Sequence, residues 1–371
     1  MNQSYLVLSI NIGSTSSKIA LYRNETCLLK ENITYSAEEV SRFADSMSQL
    51  DMRIADIEKK LREADVDLGS LSIVVGRGGS LPPHQTGAYE INDRMLQYLK
   101  DSGSVHASST SAFIARHIAE KAGCQAIIYD GPYSTSEIPP HARITGLVNE
   151  YRRPGLHVLN GRACCIRYAA EQNRKLEDMN LVVAHLGGGI SVTAYEKGRL
   201  IDGVTDTEGS LTPERAGGLS TDILVNYSGK TGLSGKALLK VLRGRSGMVS
   251  LLGTSDMIEV EKRIAAGDAK AALAHRAMCY QTGKCIGSMA AALDFDVDAI
   301  LLTGGIAHSK LVVSLLTEQV GRLAPVAVYP GEFEMEAMSL GGLRVLRGEE
   351  AVHPFNEELI KKKNYLEEAA N

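Results

Sequence analysis

The sequence predicts an α/β protein made of two similar domains, and three observations support that prediction. The chain has 371 residues, which is enough for two domains of ordinary size. Short apolar strands alternate with helical stretches from one end of the chain to the other. A strand–turn–strand unit at residues 6–22, LVLSINIGSTSSKIALY, returns at residues 181–195 as LVVAHLGGGISVTAY. Two domains that each begin with such a unit are able to grip one ligand from both sides of a central cleft.

The individual elements follow from the apolar pattern and from the turn residues. Apolar runs bounded by Gly or Asn predict strands, whereas Ala115, Ala119 and Ala122 recur at i, i+4 and i+7 and predict a helix. The predicted strands lie in residues 5–11, 17–22, 27–33, 71–79, 124–130, 181–195, 298–310 and 325–332. The predicted helices lie in residues 37–64, 108–122, 157–174, 270–293 and 333–347.

The predicted domain division places the second strand–turn–strand unit near the start of the second domain. Residues 1–155, with the C-terminal residues 350–371, form the predicted N-terminal domain. Residues 156–349 form the predicted C-terminal domain.

Composition limits the class of partner and the cellular location. The net charge of −4 argues against nucleic acid or an anionic membrane as the main partner. The apolar runs are strand-length, far below the roughly 20 residues of a membrane span, and no signal peptide is apparent. Six cysteines without paired CxxC spacing or disulfide density predict reduced thiols. We therefore expect a cytoplasmic protein whose partners are small molecules, with neither nucleic acid nor a membrane among them.

Glycine-rich and hydroxyl-rich turns predict anion sites. The first such turn offers Asn11, Ser14 and Ser16, and the turn at residues 187–189 has three consecutive glycines. Backbone N–H groups in such turns bind anions, and glycine lets a polyphosphate approach closely. Gly304–Gly305 ends a later strand and suits a flat base packed on bare main chain. A plain hairpin, or a plain strand-to-helix turn, is the alternative in each case.

The sequence does not match two common nucleotide-binding motifs, the P-loop and the GxGxxG motif. The segment GKTGLSGKA at residues 229–237 has Lys230 where a P-loop needs its first Gly and Ala237 where it needs Ser or Thr. No GxGxxG follows an early strand with an acidic residue about 20 positions later. A nucleotide would therefore be held by the strand–turn–strand units, and residues 229–237 are predicted to form a surface loop before a helix.

Four charged residues stand at strand ends or glycine turns: Arg77, Asp130, Arg215 and Glu334. Phosphoryl transfer needs arginines to neutralise the oxygens of the transferring group and carboxylates to hold Mg²⁺. A solvated loop charge is the alternative for each residue taken alone.

The choice among neighbouring candidates stays open at two points. Glu332 and Glu336 flank Glu334, so chemistry alone does not select one glutamate. His157 and His185 are each candidate donors to phosphate, and a purely structural histidine is the alternative.

Seven segments occur in the order and spacing found in butyrate kinases: INIGSTSSK, VVGRGG, HASS, HLGGGIS, PERAGG, LLTGGIAHS and YPGEFEMEA. The chain resembles that family over nearly its whole length. Butyrate kinases belong with acetate kinase in the actin-like ATPase (ribonuclease H-like) superfamily. The resemblance therefore implies a duplicated two-domain fold with a central nucleotide cleft, ATP and Mg²⁺ as cofactors, and reversible formation of an acyl phosphate. It also implies a homodimer or a higher homo-oligomer.

The resemblance implies that the predicted N-terminal domain, residues 1–155 with 350–371, is the acyl and phosphate domain and that residues 156–349 are the nucleotide-binding domain. It also implies roles for individual residues. The implied catalytic residues are Arg77, Asp130, His157 and Arg215, and the implied metal-site residues are Glu334 and Asp130. The implied nucleotide-binding residues are Asn11, Ser14, Ser16, His185, Gly187, Gly188, Gly189, Gly304 and Gly305.

The chain departs from the family at three places. Ile12 stands where the family usually has Pro, and we expect little effect. Residues 133–135, Tyr-Ser-Thr, stand where the family is more aliphatic. Gly161 and Arg162 stand where the family tends to carry Gln and Lys, which puts the details of phosphate or acyl contact in question.

These departures leave the substrate open. If residues 133–135 line the acyl pocket, the acid is propionate, a branched acid or a more polar carboxylate rather than butyrate. If they face solvent, butyrate is favoured. An alternative of another class is a catalytically impaired, nucleotide-binding regulatory protein on the same fold.

Overall fold

The computed structural model describes residues 3–102, 107–361 and 363–368, and His106 of the HASS segment lies outside these ranges. The chain divides into two compact units. Unit 1 combines the chain up to Arg153 with the chain from Phe333 onward, and unit 2 comprises Pro154–Glu332. In the described residues, no helix combines the length and the apolar character that crossing a membrane requires.

The strands, in chain order, are β1 Leu6–Ile12, β2 Ser16–Arg23, β3 Thr26–Thr34, β4 Ile73–Gly76, β5 Ala88–Glu90, β6 Gln125–Tyr129, β7 Asn180–Leu186, β8 Ile190–Glu196, β9 Arg199–Val204, β10 Ala299–Gly304, β11 Val326–Pro330 and β12 Val352–His353.

The helices, in chain order, are α1 Ala37–Ser41, α2 Leu50–Glu63, α3 Asp93–Asp101, α4 Thr110–Ala122, α5 Pro140–Arg143, α6 Val158–Glu171, α7 Thr221–Thr231, α8 Gly235–Leu242, α9 Met248–Leu252, α10 Met257–Ala265, α11 Ala269–Ala291, α12 Lys310–Val320, α13 Glu334–Leu346, α14 Glu357–Ile360 and α15 Tyr365–Glu368. Short 3₁₀ turns occur at Leu68–Ser70, Ala107–Ser109, Leu176–Asp178 and Gly305–His308.

The two units contain the same arrangement of strands. In unit 1 the sheet order is β12-β5-β6-β4-β1-β2-β3, and in unit 2 it is β11-β10-β7-β8-β9. β1, β2 and β3 form an antiparallel meander, and β1 pairs in parallel with β4, which pairs in parallel with β6. β7, β8 and β9 form the same meander, and β7, β10 and β11 repeat the parallel pairs. The predicted duplication is therefore confirmed, and the repeated sequence unit is the β1–β2 hairpin and its counterpart β7–β8.

Helices cover both faces of the central strands of unit 1, which explains why β1 and β4 read as continuous apolar runs. On one face, Leu8, Ile10 and Val74 pack in a core with residues of α4. On the other face, α13 lies close to the sheet because it has glycine at the contact. A Cβ atom added to Gly342 would lie 2.8 Å from Val75 and 3.0 Å from Val7.

The predicted strands and helices are present, with three differences in extent. The predicted helical stretch 37–64 is two helices, α1 and α2, separated at residues 42–49. The segment 229–237 is not wholly a loop, because residues 229–231 end α7 and residues 235–237 begin α8. The predicted first domain resumes at residue 350, whereas unit 1 already includes α13. The functional division into an acyl domain and a nucleotide domain stays a prediction.

Candidate active site

The carboxyl edge of the unit 1 sheet gathers several of the predicted residues. Asn11 lies near the end of β1, and Arg77 directly follows β4, its parallel neighbour. The side-chain amide of Asn11 donates to Oε2 of Glu334 over 2.7 Å, and Nη2 of Arg77 donates to Oε1 over 3.2 Å. One carboxylate is thus held between an amide and a guanidinium. Glu334 is also the first residue of α13, where the helix dipole favours a negative charge.

Asp130 belongs to the same edge because it follows β6, which pairs in parallel with β4. Nη1 of Arg77 donates to its main-chain oxygen over 3.4 Å, and the amide of Gly87 donates to its Oδ1 over 2.7 Å. The residue is 1% exposed and has φ +45°, a conformation that few non-glycine residues adopt. The chain therefore fixes this carboxylate in a constrained position beside Arg77.

The glycine turn after Arg77 packs on the end of the HASS segment and on the start of α4. The amide of Gly78 donates to Oγ of Ser111, and the amide of Ser80 donates to Oγ of Ser109, each over 3.2 Å. A Cβ atom added to Gly79 would lie 2.0 Å from the same Ser109 oxygen. This close approach explains the glycine and fixes the main chain on which Arg77 stands.

In unit 2 the two candidate histidines lie together. The His157 and His185 rings stack with their centroids 3.9 Å apart and their planes inclined by 8°. Nδ1 of His157 lies 2.8 Å from Oγ of Ser191, on β8. His185 is 4% exposed.

Asn160, which the sequence analysis missed, determines the tautomer of His185. Its amide nitrogen lies 3.0 Å from Nδ1 of His185 and donates over 3.0 Å to Oγ1 of Thr303. An amide NH₂ group only donates, so Nδ1 accepts and the ring proton is assigned to Nε2. A Cβ atom added to Gly187 would lie 3.4 Å from that Nε2, so the protonated nitrogen lies beside the glycine turn.

The two glycine turns of unit 2 lie side by side, because β7 and β10 are parallel neighbours. Gly304 has φ +89°, and a Cβ atom there would lie 2.4 Å from the carbonyl oxygen of Leu186, the last residue of β7. Gly305 is different, because nothing lies within 4 Å of the position of an added Cβ atom.

Arg215 lies beside the turn at residues 187–189, between two carboxylates. Its Nε donates to Asp206 over 2.9 Å, and its Nη1 donates to Glu214 over 3.1 Å. Cβ atoms added to Gly189 and Gly188 would lie 3.1 Å and 3.3 Å from those same two carboxylates. Asp206 and Glu214 were not candidates in the sequence analysis. The one signal that could have found them is their position, Glu214 within the PERAGG segment and Asp206 seven residues before it.

The polar segment 133–135 is partly turned inward. Ser134 and Thr135 are 0% exposed, and His84 is 1% exposed. Oγ of Ser134 lies 2.9 Å from Nε2 of His84, whose Nδ1 lies 2.8 Å from the carbonyl oxygen of Pro82. Burial lowers the pKa of His84 to about 4, so the ring is neutral, donates to Pro82 and accepts from Ser134. Ser134 and Thr135 therefore do not face solvent, and the Ser134 hydroxyl is already bonded within the protein.

The departure at Gly161 has a packing reason. A Cβ atom added there would lie 3.2 Å from the hydroxyl oxygen of Tyr195, which is on β8. The glycine lets α6 approach the sheet that carries His185.

Comparison with known proteins gives the family. Residues 125–326, more than half of the chain, match the model of the acetokinase family. A protein named "Probable butyrate kinase 2", from Caldanaerobacter subterraneus subsp. tengcongensis, is 44% identical over 350 residues, which cover 93% of this chain and 98% of that protein. The chain belongs to the acetokinase family. "Butyrate kinase 2" from Clostridium acetobutylicum is 40% identical and covers 95% of this chain and 99% of its own length.

Solved structures of acetokinase-family enzymes have the same fold. Acetate kinase from Porphyromonas gingivalis superposes with a TM-score of 0.75 at 17% identity, over 92% of this chain and 100% of that one. A propionate kinase from Francisella tularensis subsp. tularensis SCHU S4 superposes with a TM-score of 0.72 at 18% identity, over 91% and 98%. The predicted family, the actin-like ATPase fold and the kinase with a carboxyl group as acceptor are confirmed.

Within this acetokinase-family fold, the predicted site residues form one group in each unit. Unit 1 brings together Asn11, Arg77, Asp130 and Glu334, with Ser14 and Ser16 in the turn that follows β1. Unit 2 brings together His157, His185, Gly187, Gly188, Gly189, Gly304, Gly305 and Arg215. The role of each residue stays a prediction.

Proposed function

We propose that the protein catalyses the reversible transfer of the γ-phosphoryl group of ATP to butyrate, or to a close short-chain acid, giving an acyl phosphate. The observation that carries the proposal is the Glu334 carboxylate held between Asn11 and Arg77 at the carboxyl edge of a sheet. The names of the two relatives at 44% and 40% identity support butyrate as the acid.

Phosphoryl transfer to a carboxylate requires positioning of the reactants and stabilisation of negative charge, and it does not require a strong base. The carboxylate nucleophile is already ionised at pH 7, so no proton needs to be removed from it. Negative charge spreads over three oxygens of the transferring group. Arg77 is a preorganised cation for that charge, since Glu334 and the Asp130 main chain fix its guanidinium. On the nucleotide side, Nε2–H of His185 and the glycine turn beside it are the corresponding donors.

The residues of unit 1 fit a magnesium ion bound together with the nucleotide. Mg²⁺ prefers oxygen ligands and is usually held by one or two carboxylates together with water and phosphate oxygens. Glu334 suits this, because its side chain is 23% exposed and its neighbour Asn11 carries an amide oxygen. When bound, the ion would neutralise charge on the phosphate oxygens. Asp130 is the more enclosed of the two carboxylates and would contribute mainly through its charge.

The acyl side favours a simple aliphatic acid. The Ser134 hydroxyl is used by His84, and Oγ1 of Thr135 donates to the carbonyl oxygen of Tyr133 over 3.4 Å. Neither hydroxyl is therefore offered to a polar substrate. Tyr133 is only half-buried and is the residue of this segment that can contact an acyl chain.

The decisive experiment is a hydroxylamine-trapped acyl-phosphate assay with ATP, Mg²⁺ and unbranched, branched and hydroxylated acids of two to six carbons. We expect the highest kcat/KM with butyrate or a neighbouring acid. Arg77→Met should abolish most of the activity, whereas Arg94→Met, which removes a partly exposed arginine paired with Glu357, should not. A folded wild-type protein that gives no hydroxamate with any acid would contradict the proposal.

The cytoplasmic location and the homodimer also belong to this proposal. They are supported by the cysteine pattern and by the family resemblance respectively. Sedimentation equilibrium tests the second, and a monomer at micromolar concentration would contradict it.

A further inference from the structure

A buried arginine lies beneath the turn that follows β1. Arg53, on α2, is 1% exposed. Its Nη1 donates to the carbonyl oxygen of Ser16 over 2.9 Å, and its Nη2 donates to that of Ser14 over 3.0 Å. The planar guanidinium thus donates from two nitrogens to two carbonyl groups of one turn. A lysine has a single ammonium group and lacks this fixed pair of donors.

The charge of Arg53 has only neutral bonding partners. Its remaining hydrogen bonds go to Oε1 of Gln49, over 3.0 and 2.8 Å, and to Oγ of Ser17, over 3.0 Å, and it lies 4.7 Å above the ring of Tyr35. Among the described residues it forms no salt bridge, and Asp56 of the same helix acts on it only through space. A guanidinium stays protonated even when buried. A buried charge that no carboxylate contacts is costly, and the through-space attraction of Asp56 offsets that cost only in part. An anionic ligand near the turn would therefore be stabilised by Arg53.

The main chain of the turn is oriented for an anion. The carbonyl oxygen of Thr15 accepts from the amide of Tyr35 over 2.9 Å, and that of Ser16 also accepts from the amide of Gly13 over 2.8 Å. All three carbonyls of residues 14–16 are therefore bonded to the protein. In a trans peptide the N–H points opposite to the carbonyl of the same peptide unit. The Ser14 carbonyl faces Arg53, so the amide of Thr15 points away from Arg53.

Two amides of this turn are available to a ligand. In the described part of the chain, the main-chain N–H groups of Ser14 and Thr15 donate to no protein acceptor, and both residues are exposed. Successive outward N–H groups form an anion-binding concavity. The buried cation lies on the carbonyl side of the same turn, so its field adds to that of the amides.

We propose that Arg53 is a positioning residue that makes this turn a polyphosphate site. It acts through the two hydrogen bonds of its guanidinium to the turn and through its positive charge, which no carboxylate contacts. The ligand class is the phosphate chain of a nucleoside triphosphate. The inference rests on the proposed function, in which the turn contacts ATP, and it adds a residue whose effect is transmitted through the main chain.

The variant Gln49→Glu tests the charge of Arg53 separately from its hydrogen bonds. A glutamate can accept both hydrogen bonds from Arg53, so the geometry is kept while the positive charge is neutralised. We expect calorimetry to show at least threefold weaker binding of ATP and of pyrophosphate, with a Tm that is unchanged or higher. Arg53→Met should weaken both ligands at least tenfold and raise the KM for ATP, with the KM for the acid within about twofold.

The matched control is Arg116→Met. Arg116 is on α4 of the same unit and also donates to a main-chain carbonyl, that of Ile91, and within the described residues none of its hydrogen bonds goes to the turn. It should leave ATP affinity unchanged. Folded Arg53→Met with ATP affinity within twofold of wild type overturns the inference. If that variant does not fold, Gln49→Glu with unchanged affinity overturns it.

The outcomes separate this inference from the proposed function. Wild type that binds ATP but forms no acyl phosphate contradicts the function, and the affinities of the variants still test Arg53. Wild type that forms acyl phosphate, with variants of unchanged ATP affinity, contradicts only the inference. Wild type that binds neither ATP nor pyrophosphate overturns both.

Discussion

His157 and His185 lie face to face, with ring centroids 3.9 Å apart and planes inclined by 8°. Two imidazoles at this distance do not readily carry a charge together, because like charges so close repel each other. Each ring is fixed through its Nδ1, that of His157 by Ser191 and that of His185 by Asn160. The pair is therefore arranged as two oriented rings rather than as two independent bases.

The orientation of His185 should depend on Asn160. Asn160→Leu removes the donor that fixes the Nδ1 of His185, so both tautomers become populated. We expect kcat to fall at least about tenfold, since one well-placed donor to a developing charge is worth roughly 10²–10³ in kcat. ¹⁵N NMR of the ring reports the tautomer directly. Thr303→Val is the control, because it removes the other acceptor of Asn160, together with a hydrogen bond to the Gly331 main-chain oxygen, and leaves the donor to His185 in place. An Asn160→Leu protein with unchanged kcat and a single Nε2–H tautomer would contradict this prediction.

Glu334 should be the functional glutamate of its segment. Glu334→Gln removes the charge that Arg77 and Asn11 hold, so we expect a large loss of kcat and a higher Mg²⁺ concentration for half-maximal rate. Glu332→Gln and Glu336→Gln are matched controls on exposed residues and should change either quantity by less than about twofold. Steady-state rates over a magnesium titration measure both. Greater sensitivity at Glu332 or Glu336 would reassign the site.

Gly305 should be required by the ligand rather than by the fold. Because nothing in the protein lies within 4 Å of an added Cβ atom, Gly305→Val should leave the Tm nearly unchanged and weaken ATP binding by excluding the base. Gly304→Val is the contrast, because its Cβ would lie 2.4 Å from the Leu186 carbonyl oxygen and should lower the Tm. Unchanged ATP affinity in folded Gly305→Val would remove the adenosine assignment.

His84 should make the protein sensitive to acid. Burial depresses its pKa in the folded state to about 4, below the unfolded value of about 6.5. The unfolded chain therefore binds the proton first, so this stability is present above about pH 6.5 and is lost as the pH falls toward 4. The loss is on the order of 3 kcal/mol at the lower end of that window.

The double variant His84→Leu with Ser134→Val replaces the hydrogen-bonded pair by two apolar side chains. It should show a smaller decrease in Tm between pH 7 and pH 5 than wild type, as measured by thermal unfolding. Ser134→Val alone retains the histidine and should keep the acid sensitivity. Equal acid sensitivity in wild type and in the double variant would show that other groups titrate in this range.

Tyr133 should tune the choice of acid. Tyr133→Val removes a half-buried phenol and opens space, so we expect kcat/KM to shift toward longer aliphatic acids by up to about tenfold per methylene. Thr135→Val alters a fully buried neighbour with the same number of heavy atoms and should leave the acid profile unchanged. The hydroxamate assay over acids of three to six carbons measures both. An unchanged profile in Tyr133→Val would show that the acyl pocket is lined from elsewhere.

The sequence by itself determined most of the strands of the two sheets, the longest helices, the duplicated fold and the candidates that stand at strand ends. These features are local, because apolar periodicity specifies strand or helix, and Arg77 and Asp130 could be placed at strand ends before any contact was known. The repeat of one strand–turn–strand unit, together with the family resemblance, predicted two similar domains. Several elements, among them β5, β9 and α7, were not predicted.

Only the tertiary structure decided which distant residues meet. Glu334 was selected over its neighbours by a hydrogen bond to Asn11, 323 positions away. Arg53, Asn160 and Asp206 carry no motif, since their importance lies in the main-chain or side-chain groups they contact after folding. The polar Ser134 pointed to a polar pocket until the structure supplied its partner, His84. Which acceptor a buried donor binds depends on how the folded chain packs. The sequence shows which side chains can donate a hydrogen bond, but it does not show which acceptors they meet.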